Sequence, residues 1–458
     1  MTTLRPPEPS NVEMTQPSAV NHARILERQM IRAQPFHVPA VALALLLLAG
    51  AWAPAHAQRH GEDYEDADPW TGVRPEKRGP DSAAVAGFVR ALAVSDPVVC
   101  QFAVTSIGNN WGHWDDDYPT GNLKDEETQE AGRETLSRPV TDPGAIALLI
   151  ESLGSPHACV RRASARMLGG GGEAETVRQL RGALREGDGR VREAAALGLA
   201  RAQDFGAFHD LVRALHDKEQ AVVRMAAFAL GELEDARAVK PLGGLLGADD
   251  PDTRATAAAA LGEIEDIRAT DRLTPLVRDR EMRVRLAAVN ALGEIEDHRA
   301  TGALIDGLRD KDVSVRRAAA EALGEMEDPK AAGALARAMD DGDRVVRRLA
   351  AQALGELDNL KRAPPRLVAA LSDADPELRV LAAMSLGEIG DSAAVPALSK
   401  AYTGAEPRFR YMIVKALAET DDRRGDAVLA LAAKDKDQAI RHTAAEALKD
   451  RHDNDDDD

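Results

Sequence analysis

The sequence predicts an all-α solenoid, a stack of helical hairpins, and three observations carry that reading. Leucine recurs at positions 168, 199, 230, 261, 292, 323, 354, 386, 417 and 448, at a spacing of 31 with a single step of 32. Self-similarity at a period of roughly 20 to 50 residues marks a row of supersecondary units, none of which can bury its apolar face alone. Within each period small or apolar residues fall four apart, as Val315, Ala319 and Leu323 do, so they share one helical face. Hydrophobic residues make up 44% of the 458 but aromatics only 3%, so the core must be built from Ala, Leu and Val, which suits close and regular helix stacking.

One unit, taken from Val315, shows how the hairpin is specified. The first helix buries the Val315, Ala319 and Leu323 stripe and is interrupted at Asp328, as other copies are at Asp235, Asp266, Asp297 and Asp391. Asp favours turns and N-caps because its carboxylate accepts hydrogen bonds from nearby backbone N–H groups. A second helix follows with Leu335 and Met339 four apart, a pair repeated as Leu211/Leu215, Leu242/Leu246, Leu304/Leu308 and Leu367/Leu371. Gly231, Gly262, Gly293, Gly324, Gly355 and Gly387 each follow the periodic leucine. A helical Gly costs about 1 kcal/mol relative to Ala, so its recurrence implies close approach of packed helices, with a C-terminal cap as the alternative. Pro275 falls inside a second helix and should kink or shorten it. Pro364-Pro365, beside the step of 32, should lengthen a turn.

The string Val-Arg-x-x-Ala-Ala-x-Ala-Leu-Gly-Glu-Ile/Leu-x-Asp stands nearly whole at 284–297, 315–328 and 346–358. It resembles the HEAT-like repeat first associated with phycobilin lyases, and the resemblance runs from Asp81 to Asp450. It implies a right-handed superhelix whose second helices line the concave face. It also implies a role for two charge columns, Asp279, Asp310, Asp341 and Asp373 with Arg285, Arg316, Arg347 and Arg379 six residues after each. In proteins of this kind the matching Asp and Arg form a ladder between adjacent turns, a use to which bidentate Arg–carboxylate pairs are suited.

A further column, Glu232, Glu263, Glu294, Glu325, Glu356 and Glu388, is reinforced by Glu234, Glu265, Glu296, Glu327 and Asp358. Stacking should draw these into an acidic ridge, partly neutralised by Arg237, Arg268, Arg299 and Lys330 in the same turns. Such a ridge is either a solvated face or a docking surface for a basic protein. The formal net charge of −18 repels nucleic acid and anionic lipid.

The N-terminal part reads as an export signal. Arg32 precedes an apolar run from Val38 to Ala51, too short for the roughly 20 residues of a membrane span, and Ala55-His56-Ala57 has the small-x-small pattern of a signal peptidase site. Residues 1–57 are therefore expected to be a signal peptide, with translation from Met30 as the alternative that makes 1–29 a mis-assigned start. No stable membrane insertion is expected after cleavage, and the location is periplasmic or secreted. Residues 58–80 are expected to form a flexible acidic leader, 81–450 the solenoid, and 451–458 an acidic disordered tail. Cys100 and Cys159 fall near the start of neighbouring first helices, where they are either disulfide-bonded or two buried thiols.

Ideal copies explain the scaffold, so function is sought where the repeat is broken. The largest departure is an insertion at 109–141 that holds Trp111, Trp114 and Tyr118. Exposed aromatics on a rigid scaffold are typical binding anchors, whereas a loop folded over the open end would act as a cap. Asp115-Asp116-Asp117 lacks the spaced oxygens, central Gly and closing Glu of an EF-hand loop. Deoxyhypusine hydroxylase, built of similar repeats, holds iron through His-Glu dipeptides. This chain has none, since Thr443 follows His442. His209 and His216, seven apart, share a helical face without a fixed acidic or thiol ligand. No metal or other cofactor is expected. The sequence therefore reads as a non-enzymatic scaffold that binds a protein partner, with a phycobilin-lyase-like or metal-dependent enzyme as the alternative.

Overall fold

A computed structural model describes residues 79–95, Cys100, 139–420 and 422–456. The expected signal peptide, nearly all of the acidic leader and most of the insertion lie outside them. Every regular element among the described residues is helical. Long first helices run from Ala158–Gly169 through Gly189–Ala202, Gln220–Glu232, Pro251–Glu263, Met282–Ile295, Val313–Glu325, Arg344–Glu356, Pro376–Ile389 and Pro407–Glu419 to Gln438–Asp456, and the second helices between them are short except for Ala174–Glu186, which has 13 residues. The periodic leucines lie in the last turn of the first helices from Leu168 to Leu417 and are sealed from water there, each no more than 1% exposed. Leu448, in the last of these helices, is only half-buried. The second-helix partners, Leu335 and Met339 among them, close the same core.

The recurring glycines sit where successive long helices touch. A Cβ at Gly262 would stand 2.7 Å from the Ala291 Cα, and at Gly355 and Gly387 it would stand 2.8 Å from the Cα of Ser385 and Ala416. These are backbone-to-backbone approaches that no larger residue tolerates. Gly262 and Gly387 also receive the cap of their own helix, since the N–H three residues on, Glu265 N and Gly390 N, donates to the glycine carbonyl at 2.8 and 2.9 Å, whereas after Gly355 the Asp358 N–H donates to the Glu327 carbonyl of the preceding unit. Close approach and capping thus coincide at Gly262 and Gly387.

The capping residue itself turns into the left-handed region, with φ of 51° at Glu234, 53° at Glu265, 54° at Glu296 and 55° at Glu327. Gly occupies that place at Gly172 and Gly390. The chain then enters a single turn of 3-10 helix N-capped by the next residue: Asp235, Asp266, Asp297 and Asp328 each accept the N–H two residues later.

Short helices follow, commonly of seven residues, as in Thr301–Gly307 and Ala332–Ala338. At Pro275 the helix stops at Leu273 and continues as a 3-10 segment, Thr274–Arg278, because proline has no N–H to continue the α pattern. Neighbouring short helices are linked by long side chains, Arg181 to Asp210, Arg278 to Asp306 and Arg366 to Asp340. The long helices, which meet backbone to backbone at their glycines, pack more closely than this layer.

The end of the chain differs from expectation. The last helix continues past Asp450 to Asp456 instead of giving way to an irregular tail at 451. Arg451 fastens it, donating to the Leu417 carbonyl at 2.6 Å and pairing with Asp426.

Candidate interaction surface

Arginine near the start of several long helices grips two successive turns, while Val223 takes its place in Gln220–Glu232. The Nη1 of Arg285 donates to the carbonyl oxygens of Asp279 and Arg280 in its own turn, while Nε and Nη2 form a fork on the carboxylate of Asp310 in the next, at 2.7 and 2.9 Å. Arg192 with Asp217, Arg254 with Asp279, Arg316 with Asp341 and Arg410 with Asp435 repeat the fork. The side chains of Arg285 and Asp310 are 5% and 10% exposed, so the pair is well shielded from solvent. Each acidic partner also caps its turn, as Asp310 does by accepting the N–H of Asp312.

Two rungs depart from the pattern implied by the resemblance. Arg347 keeps its carbonyl contacts, to Asp341 and Gly342, but does not reach Asp373. The one-residue insertion before Asp373 shifts its turn, and Arg366 approaches it instead at 3.4 Å. Arg379 donates to the Asp373 carbonyl and finds its carboxylate at Glu406, because Gly404 stands where the acidic residue would be.

Further cross-links recur that the sequence did not suggest. Asp297 and Asp328 accept hydrogen bonds from the hydroxyls of Thr270 and Thr301 in the preceding unit, at 2.8 and 2.6 Å. Aspartates that N-cap the long helices also receive the arginine of the helix before, Arg224 to Asp250, Arg317 to Asp343 and Arg348 to Asp375. Their signal was the Asp that precedes each of these three helices, legible as a cap but not as half of an ion pair. The Arg317 guanidinium and the backbone of Val346 and Val345 hold the Asp343 carboxyl down at about 2. Arg299, then its own N–H and Thr270, bring Asp297 to about 2.

The acidic column runs along the C-terminal edge of the long helices. The Glu294 carboxylate lies over Gly262, where a Cβ would collide with it, and Glu356, Glu388 and Glu419 lie in the same way over Gly324, Gly355 and Gly387. Each of these carboxylates, and that of Glu325 beside Gly293, thus reaches back toward the helix before it, so the row is stacked from Glu294 to Glu419. Glu388 is pushed above the usual carboxylate range, first by desolvation and then by Glu419 and Glu356, with Lys415 opposing. The expected neutralising cations are engaged elsewhere: Arg237, Arg268, Arg299 and Lys330 pair with Asp235, Asp266, Asp297 and Asp328 in their own turns. A two-residue separation favours the nearer carboxylate.

Of the other candidate residues, Trp111, Trp114 and Tyr118 lie outside the described residues. Cys100 and Cys159 are joined, with 5.7 Å between their Cα atoms. His209 and His216 are both exposed, and among the described residues no group of three His, Cys, Asp or Glu could hold a metal.

The HEAT-repeat family pattern matches residues 146–228, 208–283, 276–355 and 363–453, most of the chain. The chain belongs to the HEAT-repeat family. Within it, residues 346–373 also match the PBS lyase HEAT-like repeat. Among solved structures, importin beta is similar at 15% identity with a TM-score of 0.54, over 80% of this chain and 57% of that one. An engineered protein is 22% identical over 67% of this chain and 98% of its own, with a TM-score of 0.45. The CpcE–CpcF complex of phycocyanin lyase from Nostoc sp. PCC7120 is 25% identical over 53% and 94%, but its TM-score of 0.32 carries no argument about function. No curated protein matches the chain. This HEAT protein is thus a repeat scaffold of a kind that generally mediates protein interactions. No helix among its described residues is long and apolar enough to cross a membrane.

Proposed function

We propose that this HEAT protein is an exported, non-enzymatic scaffold that engages a basic protein partner through its long-helix layer. The glutamate row, one carboxylate per unit from Glu232 to Glu419 in the sequence and stacked from Glu294 onward, is the observation that carries this reading. A basic segment lying along it would meet charge at every unit, and electrostatic complementarity of that kind governs encounter and register. Since the more closely packed layer of a bent stack lies inside the bend, the long helices would line the concave side. That is the reverse of what the sequence resemblance implies for the second helices.

Export is supported by the apolar run and Ala55-His56-Ala57, and by the Cys100–Cys159 disulfide, since such bonds persist in oxidising compartments. The aromatic insertion, with Trp111 and Trp114, would supply a second contact beyond the row. Crosslinking capture from the native compartment tests the proposal quantitatively. A Glu294→Lys/Glu325→Lys chain should lose the partner that the unaltered chain retains, and capture should weaken as salt rises. Capture that ignores both charge reversal and salt would refute the acidic row as the docking surface.

A further inference from the structure

We propose that Arg181, Arg185 and Arg213 form an oxyanion-binding site on the short-helix layer, distinct from the acidic row. Arg181 and Arg185 lie one turn apart on helix Ala174–Glu186, and Arg213 lies on Phe208–Ala214 of the next hairpin. All three converge on one carboxylate. The Nε of Arg181 donates to Asp210 Oδ2 at 2.8 Å, and Nη1 of Arg213 and of Arg185 stand 3.5 and 3.7 Å from Oδ1. Asp210 is only 5% exposed, so it acts as a buried anchor that gathers three guanidiniums into a surplus of positive charge. In a chain of net charge −18 such a surplus runs against the general field.

Each guanidinium carries five N–H donors, yet among the described residues the Arg181–Asp210 bond is the only hydrogen bond the three make to protein. Their side chains are 35%, 44% and 69% exposed in the order Arg181, Arg185, Arg213, so the remaining donors face outward. Neighbouring acids do not neutralise them. Glu175 is held by Arg178 and Gln179, and Asp204, across Gly206, forms no ion pair with Arg181. A repeated structural link would recur at each junction. Instead Pro241, Arg272, Ala303 and Ala334 occupy the place of Asp210 in the following units. A ligand with several oxygens on one centre, a phosphate group or clustered carboxylates, would complete the set, because planar guanidinium forks match both.

Titration calorimetry of the full chain at low ionic strength tests the site with two probes, pyrophosphate and a hexaglutamate peptide. Pyrophosphate or the peptide should bind one saturable site with a Kd below about 1 mM. An Arg185→Gln/Arg213→Gln chain should bind at least about tenfold more weakly, whereas Arg309→Gln/Arg337→Gln, on the same layer, should bind as the unaltered chain does. Tighter binding of pyrophosphate points to a phosphate source, and tighter binding of the peptide to an acidic protein segment. Absence of saturable binding by both, or equal weakening in both variants, overturns the proposal. All four arginines are on the surface, and superimposed melting curves would establish that the variants are folded. The result does not depend on the partner of the acidic row.

Discussion

At the scale of single residues the fold rests on a few positions used again and again. Leu292, wholly buried between hairpins, is one of them. Leu292→Ala should lower the free energy of unfolding by about 2–5 kcal/mol, the range for a large core side chain replaced by a methyl. A denaturant titration showing a loss below about 0.5 kcal/mol would mean the site is not sealed. The left-handed glutamates carry a different signature. Glu296 adopts φ 54° without the freedom of glycine, whereas Gly390 fills the same place in another unit. Glu296→Gly should therefore stabilise the fold by up to about 1 kcal/mol, since a left-handed L-residue costs about 1–2 kcal/mol and glycine returns part of that as entropy on folding. A lower melting temperature would show that the glutamate side chain contributes more than its backbone costs. The leucines and glycines were legible in the sequence because their spacing is periodic. The left-handed glutamates were not, because nothing about Glu signals positive φ.

At the scale of elements, the hairpins are tied at their turns as well as through their cores. Asp310 and Asp373 hold equivalent places, and each accepts the N–H two residues on, but only Asp310 receives a buried arginine fork. Asp310→Ala should cost about 3 kcal/mol, because it strands the guanidinium of Arg285 in the interior. Asp373→Ala, at the interrupted rung, should cost about 1 kcal/mol, close to the loss of a cap. Equal losses in thermal unfolding would refute the ladder as an energetic feature.

The same carboxylates set the response to acid. Arg299 and Arg317 hold Asp297 and Asp343 down at about 2. A depressed folded pKa contributes stability that is complete above the unfolded value of about 4 and disappears as pH falls toward about 2. Stability from these groups should thus be constant from neutral pH to about pH 5 and decline between about pH 4 and 2. Urea midpoints that begin to fall well above pH 5 would assign acid unfolding to other groups. Helix identity was readable from periodicity, and Pro275 foretold one break. Most second helices are nevertheless shorter than the pattern suggests, and several pass into 3-10 turns. Apolar residues four apart mark a buried face without saying how many turns carry it.

At the scale of the whole molecule, interactions connect each unit chiefly with its neighbours, as expected of a quasi-one-dimensional stack. The disulfide between Cys100 and Cys159 closes a loop of 59 residues near the N-terminal end. Local fastening of that kind should protect the first units without stiffening the far ones.

The 31-residue period, the aliphatic core and the order of hairpins were already present in the order of amino acids, because burial repeats at a fixed interval and helices are local structures. Which arginine meets which carboxylate was decided only when the chain stacked. Arg285 lies six residues from Asp279 along the chain, but its fork closes on Asp310, 25 residues away. Arg299 likewise takes Asp297, the aspartate of its own turn. Ion pairs depend on the direction and distance of side chains in space, and composition alone does not rank one nearby carboxylate over another.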